Sequence, residues 1–422
     1  MNQTCNIVEL FSGIGSQAKA LKNLGYEINT LGTCEWDLHA FIAYDAIHNS
    51  PELPEDVAQM KKEDILKKLS VYTLSNNGKE KMEYKTLKTY SEEALRRVYA
   101  AIIRSNNFVD VSSLTGEKMP EGVDILTYSF PCQDLSNVGA FHGYNKGIDK
   151  DSGSRSSLLW QVGRILKEMK DAKKELPKYL LMENVPTLLA KRHKSNFETW
   201  ISDLKELGYV SYYFQLNASD FGLPQNRPRL LMISVFIGDK VKEANVDAFF
   251  KDKTPEQIVK EFVESDYYKK LLIQDLLRVD YENETYRKEA IECTPNDTDS
   301  RKEIWNENPQ LVLEGGVINS KYDVIRTITT KQDRNPNSGN LYFDSGIDGR
   351  GKFRYLTPRE CFLFMGFTDE DFDNVIVNNP EIRKNSKLFP RDKLIRMAGN
   401  SIPVKLLEGI FYQIKLLDES LK

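Results

Sequence analysis

The 422 residues are enough for two domains, and a composition of 40% apolar and 28% charged residues excludes a disordered or low-complexity chain. Lys and Arg number 58 against 62 Asp and Glu, a net charge of −4, which argues against a general nucleic-acid binder. Five cysteines without a CxxC pair and only four histidines argue against disulfides and structural zinc and fit a reducing cytoplasm; no apolar run reaches membrane-helix length, and MNQTCNIVELF has no export pattern.

In chain order, Ile7–Phe11 reads as an apolar strand, Ser12–Gly15 as a tight turn, and Ser16–Leu24 as a helix closed by Gly25. A second strand over Ile28–Cys34 ends at Glu35. Residues 51–107 form a long polar insertion with some helical character and no assigned chemistry. Apolar runs at Val123–Phe130, Tyr179–Met182 and Leu230–Phe236 repeat the strand pattern, with helical stretches such as Ser157–Met169 and Asn196–Leu207 between them. Strands alternating with helices predict an α/β fold with a mostly parallel sheet.

Beyond Gly238 this rhythm fades. Acidic helical sequence runs to about Leu277, an irregular region spans Thr294–Ser300, and short strand-like pieces follow at Val324–Thr330 and Asn340–Phe343. From Lys321 to Arg354 the charge balance turns basic, through Lys321, Arg326, Lys331, Arg334, Arg350, Lys352 and Arg354, enough to meet phosphates unless it is only a solvated surface. Helices over Thr357–Met365 and Ile402–Leu417 close the chain.

The reactive residues fall at predicted strand ends, where open α/β sheets bind ligands. Four ends carry Phe11-x-Gly13-x-Gly15, Glu35-Trp36, Pro131-Cys132-Gln133 and Glu183-Asn184. A glycine turn lets backbone N–H groups approach a ligand, and Glu35, 20 positions after Gly15, suits ribose hydroxyls while Trp36 suits a purine face. The absence of a third glycine in register disfavours a dinucleotide and favours a mononucleoside cofactor such as S-adenosylmethionine. Cys132, at a strand end before a glycine-rich loop, is placed as a nucleophile rather than as an inert core thiol. The apolar neighbours of Glu183 in LLMENV predict a partly desolvated carboxyl with a raised pKa, able to give a proton.

These segments closely resemble the DNA (cytosine-5) methyltransferase family. The matches occur in family order: IVELFSGIGSQ (7–17), EW (35–36), SFPCQDLS (129–136), LLMENV (180–185), QNRPRLLMI (225–233), RYLTPRECFLFMGF (354–367) and GNSIPVKLLEGI (399–410). The resemblance implies a Rossmann-like S-adenosylmethionine-dependent methyltransferase sheet with a smaller irregular target-recognition domain. It implies a catalytic and cofactor-binding domain over 1–237, target recognition over 238–353, and a segment 354–422 whose last helix returns to the first domain.

The implied cofactor contacts are Phe11, Gly13, Ile14, Gly15, Glu35, Trp36, Asp110, Val111 and Leu158, with Asn400 and Ser401 from the C-terminal segment. Asp110 is preferred by spacing over the locally similar Asp64 as partner of the adenine amino group. Cys132 would be the nucleophile, flanked by Pro131 and Gln133; Glu183 would hold N3 and the amino edge of the base, and Arg227 and Arg229 would orient base and loop. Ser136, Arg326, Thr327, Lys331, Gln332 and Arg334 would meet DNA, most of them at phosphates. No metal is implied. The implied partner is double-stranded DNA, with a restriction endonuclease acting separately where the enzyme serves restriction–modification, and a monomer suffices to flip one base. Two rivals remain: the branch of the family that methylates tRNA, and a catalytically inactive DNA-binding homologue.

Overall fold

The computed structural model describes residues 3–49, 52–131, 158–238, 242–333 and 336–421. Six strands form the central sheet: β1 Thr4–Leu10, β2 Glu27–Cys34, β3 Ile125–Tyr128, β4 Tyr179–Asn184, β5 Tyr209–Asn217 and β6 Pro228–Phe236. Their order is β2-β1-β3-β4-β6-β5. The first four run parallel, whereas β6 is antiparallel to both β4 and β5.

Side chains alternate along each strand between two apolar layers, as pleating requires. Ile7, Ile125, Leu181 and Ile233 enter one layer, while Val8, Leu126, Leu180 and Met232 enter the other. Near-continuous apolar strands follow, because both faces of the sheet are covered. Helices α1 Ser16–Asn23, α2 Leu38–His48 and α3 Glu92–Arg104 supply the first layer. Helices α4 Leu159–Asp171 and α5 Lys191–Leu207 supply the second, with Trp200 wholly buried between them.

Strand β5 escapes a search for apolar runs. It is an edge strand with half-exposed positions, and its polar side chains dilute the pattern. The polar stretch 51–107 also differs from expectation. Its helix α3 buries Ala94, Leu95, Val98, Ala101 and Ile102 in the main core. Residues 106–108 run on beside β2, with Phe108 N donating to Thr33 O at 2.8 Å.

The segment after β6 packs closely on this body. Phe250 stacks on Tyr212 of β5 with ring centroids 4.3 Å apart, and Phe262 meets Phe221 and Tyr412. Three further helices complete the frame: α6 Pro358–Leu363, α7 Arg391–Asn400 and α8 Val404–Ser420. Helix α8 lies along α1 and is buried over much of its length, from Val404 to Leu417, where it packs in the first layer.

Candidate active site

The carboxyl ends of β1, β2, β3 and β4 converge on one cavity of about 450 Å³. Its wall holds Phe11 and Gly13 after β1, Glu35 and Trp36 after β2, Ser129, Phe130 and Pro131 after β3, and Glu183 at the end of β4. The convergence follows from parallel strands: each carries its loop to the same edge. Cys132, Gln133 and Ser136 lie outside the described residues; Pro131, the neighbour of Cys132, stands in the same wall as Glu183.

The two turn glycines serve different ends. Gly13 has φ +56°, and a side chain there would meet nothing within 4 Å, so its backbone faces open cavity. Gly15 has φ +81°, and a Cβ would fall 2.1 Å from His48 Nε2 and 2.7 Å from Tyr44 Cε2. Gly15 is therefore demanded by packing of the turn on α2 and does not line the cavity, unlike the expected cofactor contact.

Glu35 is gripped by backbone. Its carboxyl accepts from Gly13 N at 3.2 Å and Asp37 N at 2.9 Å. Burial pushes its pKa up to about 7, the Asp37 charge adds to the rise, and the backbone bonds oppose it. Asp110 also lines the cavity, with Ile14, Val111, Leu158, Asn400 and Ser401. Asp64 is exposed on the helix Lys62–Leu69 instead.

The donor set suits an adenosyl group. Carboxyls at Glu35 and Asp110 match ribose hydroxyls and a purine amino group, Phe11 and Trp36 offer apolar faces, and Gly13 leaves room for close approach. The volume lies in the range of small-ligand pockets.

On the β4 side, burial raises the Glu183 carboxyl above its ordinary range, while the Arg229 and Arg227 charges pull it down. Arg229 Nε lies 2.8 Å from Glu183 Oε1. Arg227, expected to orient base and loop, lines the same cavity. It is 2% exposed and its guanidinium donates to three backbone carbonyls, those of Ile328, Gly399 and Ser401, each at 2.8 Å. It acts as a strut joining β6 to the C-terminal wall of the cavity.

Several residues to which the sequence alone assigned no role also build the site. Asn184 Nδ2 donates to Phe130 O at 3.1 Å and so ties β4 to the turn before Cys132. Gln225 is fully buried, its Nε2 donating to Phe364 O at 2.6 Å and its Oε1 accepting from Ile328 N at 3.0 Å. Both lie inside quoted motifs, so the signal was present. The loop Ser75–Gly78, from the polar stretch given no chemistry, reaches the same wall. Ser75 N donates to Trp36 O at 2.8 Å, Gly78 lines the cavity, and Arg396 of α7 binds both Asn77 O and the Asp37 carboxylate. No periodicity or motif announced that loop.

The residues expected to meet DNA separate. Arg326 and Lys331 are exposed, and Arg334 lies outside the described residues. Thr327 Oγ1 donates to Asn226 O at 2.6 Å, where the short strands Gln225–Asn226 and Ile325–Arg326 pair in parallel. Gln332 is 1% exposed and accepts from Ser338 Oγ at 2.6 Å, so its amide faces the interior rather than a base edge. Arg354, part of the basic stretch, is fully buried against Glu360 and does not face phosphates.

The fold and cavity define a Rossmann-like methyltransferase. Solved methyltransferase structures share the architecture: S. pombe Dnmt2, with a TM-score of 0.55 at 16% identity, each chain covered to 99%, and Entamoeba histolytica EhMeth, with a TM-score of 0.55 at 13% identity, both fully covered. The family described as C-5 cytosine-specific DNA methylase matches residues 80–416, and the chain belongs to it. Curated relatives span almost its whole length. Type II methyltransferase M2.ScrFI of Lactococcus lactis subsp. cremoris is 31% identical over 97% of this chain and 98% of its own. Orphan methyltransferase M.SssI of Spiroplasma monobiae is 33% identical over 97% of this chain and 96% of its own. Membership sets the reaction class as methylation of cytosine carbon 5 in DNA. Among the described residues, no helix is long and apolar enough to cross a membrane, and no group of His, Cys, Asp and Glu is arranged to hold a metal ion.

Proposed function

We propose that this protein flips a cytosine from duplex DNA and attacks its carbon 6 with the Cys132 thiolate while Glu183 serves the opposite edge of the ring. One observation carries the reading: the raised Glu183 carboxyl and Pro131, adjacent to Cys132, share a cavity wall with Gly13, Glu35 and Asp110.

Carbon 5 of cytosine is a weak nucleophile. Addition of the thiolate forms a carbon–sulfur bond at carbon 6 and pushes the ring's electrons toward N3 and carbon 5. A proton held by Glu183 neutralises the charge arising at N3, and a carboxyl that burial raises above its ordinary range is better suited to hold it. S-adenosylmethionine, held by Glu35, Asp110 and the Gly13 turn, would supply the methyl group from its sulfonium sulfur. Removal of the carbon-5 proton by a base then restores the double bond and expels the Cys132 thiolate. Attack perpendicular to the ring is blocked in a stacked base, so the base must leave the helix, at a cost of about a few kcal/mol.

Arg229 opposes the burial-driven rise of the Glu183 carboxyl, and Asn184 holds Phe130, two residues before Cys132. Arg326 and Lys331 supply exposed positive charge on the segment after residue 320 and would meet phosphates. The protein acts as a monomer on double-stranded DNA, and any cognate endonuclease acts separately.

Duplex DNA carrying 5-fluorocytosine at the target tests the chemistry, because fluorine cannot leave as a proton. Wild-type protein should form a covalent DNA adduct that survives denaturing electrophoresis. Cys132→Ser should form none while still binding S-adenosylhomocysteine. An active wild-type enzyme without adduct, or an active serine variant, would overturn the scheme.

A further inference from the structure

Asn107 follows helix α3 in the segment beside β2 and is 4% exposed. Its Oδ1 accepts two backbone bonds, from Glu35 N at 3.0 Å and Val109 N at 2.9 Å. Its Nδ2 donates to Glu35 O at 3.0 Å. One buried amide therefore clamps the turn bearing Glu35 on both sides and also holds the turn bearing Asp110. Val109 has φ +67°, a left-handed conformation unfavourable for a β-branched residue. The bond from Asn107 to Val109 N helps hold that strained residue in place, and Asp110 follows directly.

We propose that Asn107 is a positioning residue that sets the separation of the Glu35 and Asp110 carboxyls, and thereby cofactor affinity. The proposal rests on the reading of those two carboxyls as the adenosyl grip. Asn107 itself lies outside the cavity wall, so it acts only through the residues it holds. Neighbouring bonds anchor the segment independently: Phe108 N to Thr33 O at 2.8 Å and Asn106 Nδ2 to Leu31 O at 2.8 Å. Loss of the Asn107 amide should loosen the two turns without detaching the strand.

The test is direct calorimetric binding of S-adenosylhomocysteine to the full chain, in a double-mutant cycle of Asn107→Ala and Glu35→Ala. Asn107→Ala alone should weaken binding about tenfold or more, since buried backbone partners are left unsatisfied. The loss should appear in KM for S-adenosylmethionine rather than in kcat, whereas a merely structural defect would lower kcat and the melting temperature together. In the Glu35→Ala background, Asn107→Ala should add less than about threefold, because the grip it supports is already gone. Fully additive losses, or wild-type affinity in Asn107→Ala, would overturn the proposal. Normal binding by Glu35→Ala would instead refute the reading of the site, and with it the proposal. If the alanine variant does not fold, Asn107→Asp decides: it keeps the shape but sets an anionic oxygen against Glu35 O, so affinity must fall, and unchanged affinity overturns the proposal.

Discussion

Single residues show how burial tunes this protein. Glu9 of β1 is fully buried beneath the glycine turn, accepting from Tyr44 Oη at 2.6 Å and Ala18 N at 3.3 Å. Desolvation outweighs both bonds and pushes its pKa from 4.5 up to about 7. Below the unfolded value both states carry the proton and no stability is lost. As pH rises the unfolded chain ionises first, so the folded state loses stability until about pH 7. Glu9→Gln should remove this share: between pH 4.5 and 7 wild type should lose on the order of 3 kcal/mol relative to the variant. Denaturant titrations at several pH values read the difference, and parallel curves for the two proteins would refute it. Glu35 is raised in the same range, so part of the wild-type slope should survive in the variant.

At the scale of elements, the cavity depends on how closely α7 approaches the segment after residue 325. A Cβ on Gly399 would fall 2.7 Å from Thr329 C and O and from Thr330 N, all backbone atoms that cannot swing aside. Gly399→Ala should separate the two segments at a cost of about 1–3 kcal/mol. Asn400 and Ser401 follow at once and line the cavity, so the variant should also bind S-adenosylhomocysteine more weakly. Thermal unfolding with and without that ligand checks both effects; an unchanged ligand-induced shift would show that the wall tolerates the displacement. Arg227 spans the same junction, its guanidinium donating to the backbone carbonyls of Ile328, Gly399 and Ser401.

For the whole molecule, the segment around residues 278–281 is joined to the C-terminal segment 354–369 by charge. Arg354 and Glu360 form a wholly buried bidentate pair at 2.7 and 2.8 Å, and Arg354 Nε donates to Tyr281 Oη at 3.0 Å. Arg278 N binds the same glutamate, and its guanidinium pairs with Asp369. Removing one member leaves the other charge buried and unpaired, so Arg354→Met should destabilise the protein by about 3–5 kcal/mol. Chemical denaturation gives the measurement; a loss below about 1 kcal/mol would show that the pair does not hold these segments together. Helices Glu243–Phe250 and Pro255–Val263 pack on β5 and α8, inside the first core, although they follow the expected boundary at residue 238.

The sequence by itself determined the alternating α/β pattern, the four strand-end motifs and the family they resemble. Local chemistry suffices for these, because apolar runs, glycine turns and a Pro-Cys pair keep their meaning whatever the rest of the chain does. It also placed Asp110 by spacing, ahead of Asp64. Tertiary structure decided which polar groups face a ligand and which face protein. Gln332 and Arg354 look like DNA contacts in a basic stretch but are interior, because packing across distant segments found them partners in Ser338 and Glu360. Asn107 and Ser75 carry no local signal, since their value lies in backbone groups some 40 to 70 residues away that only folding brings within hydrogen-bond reach.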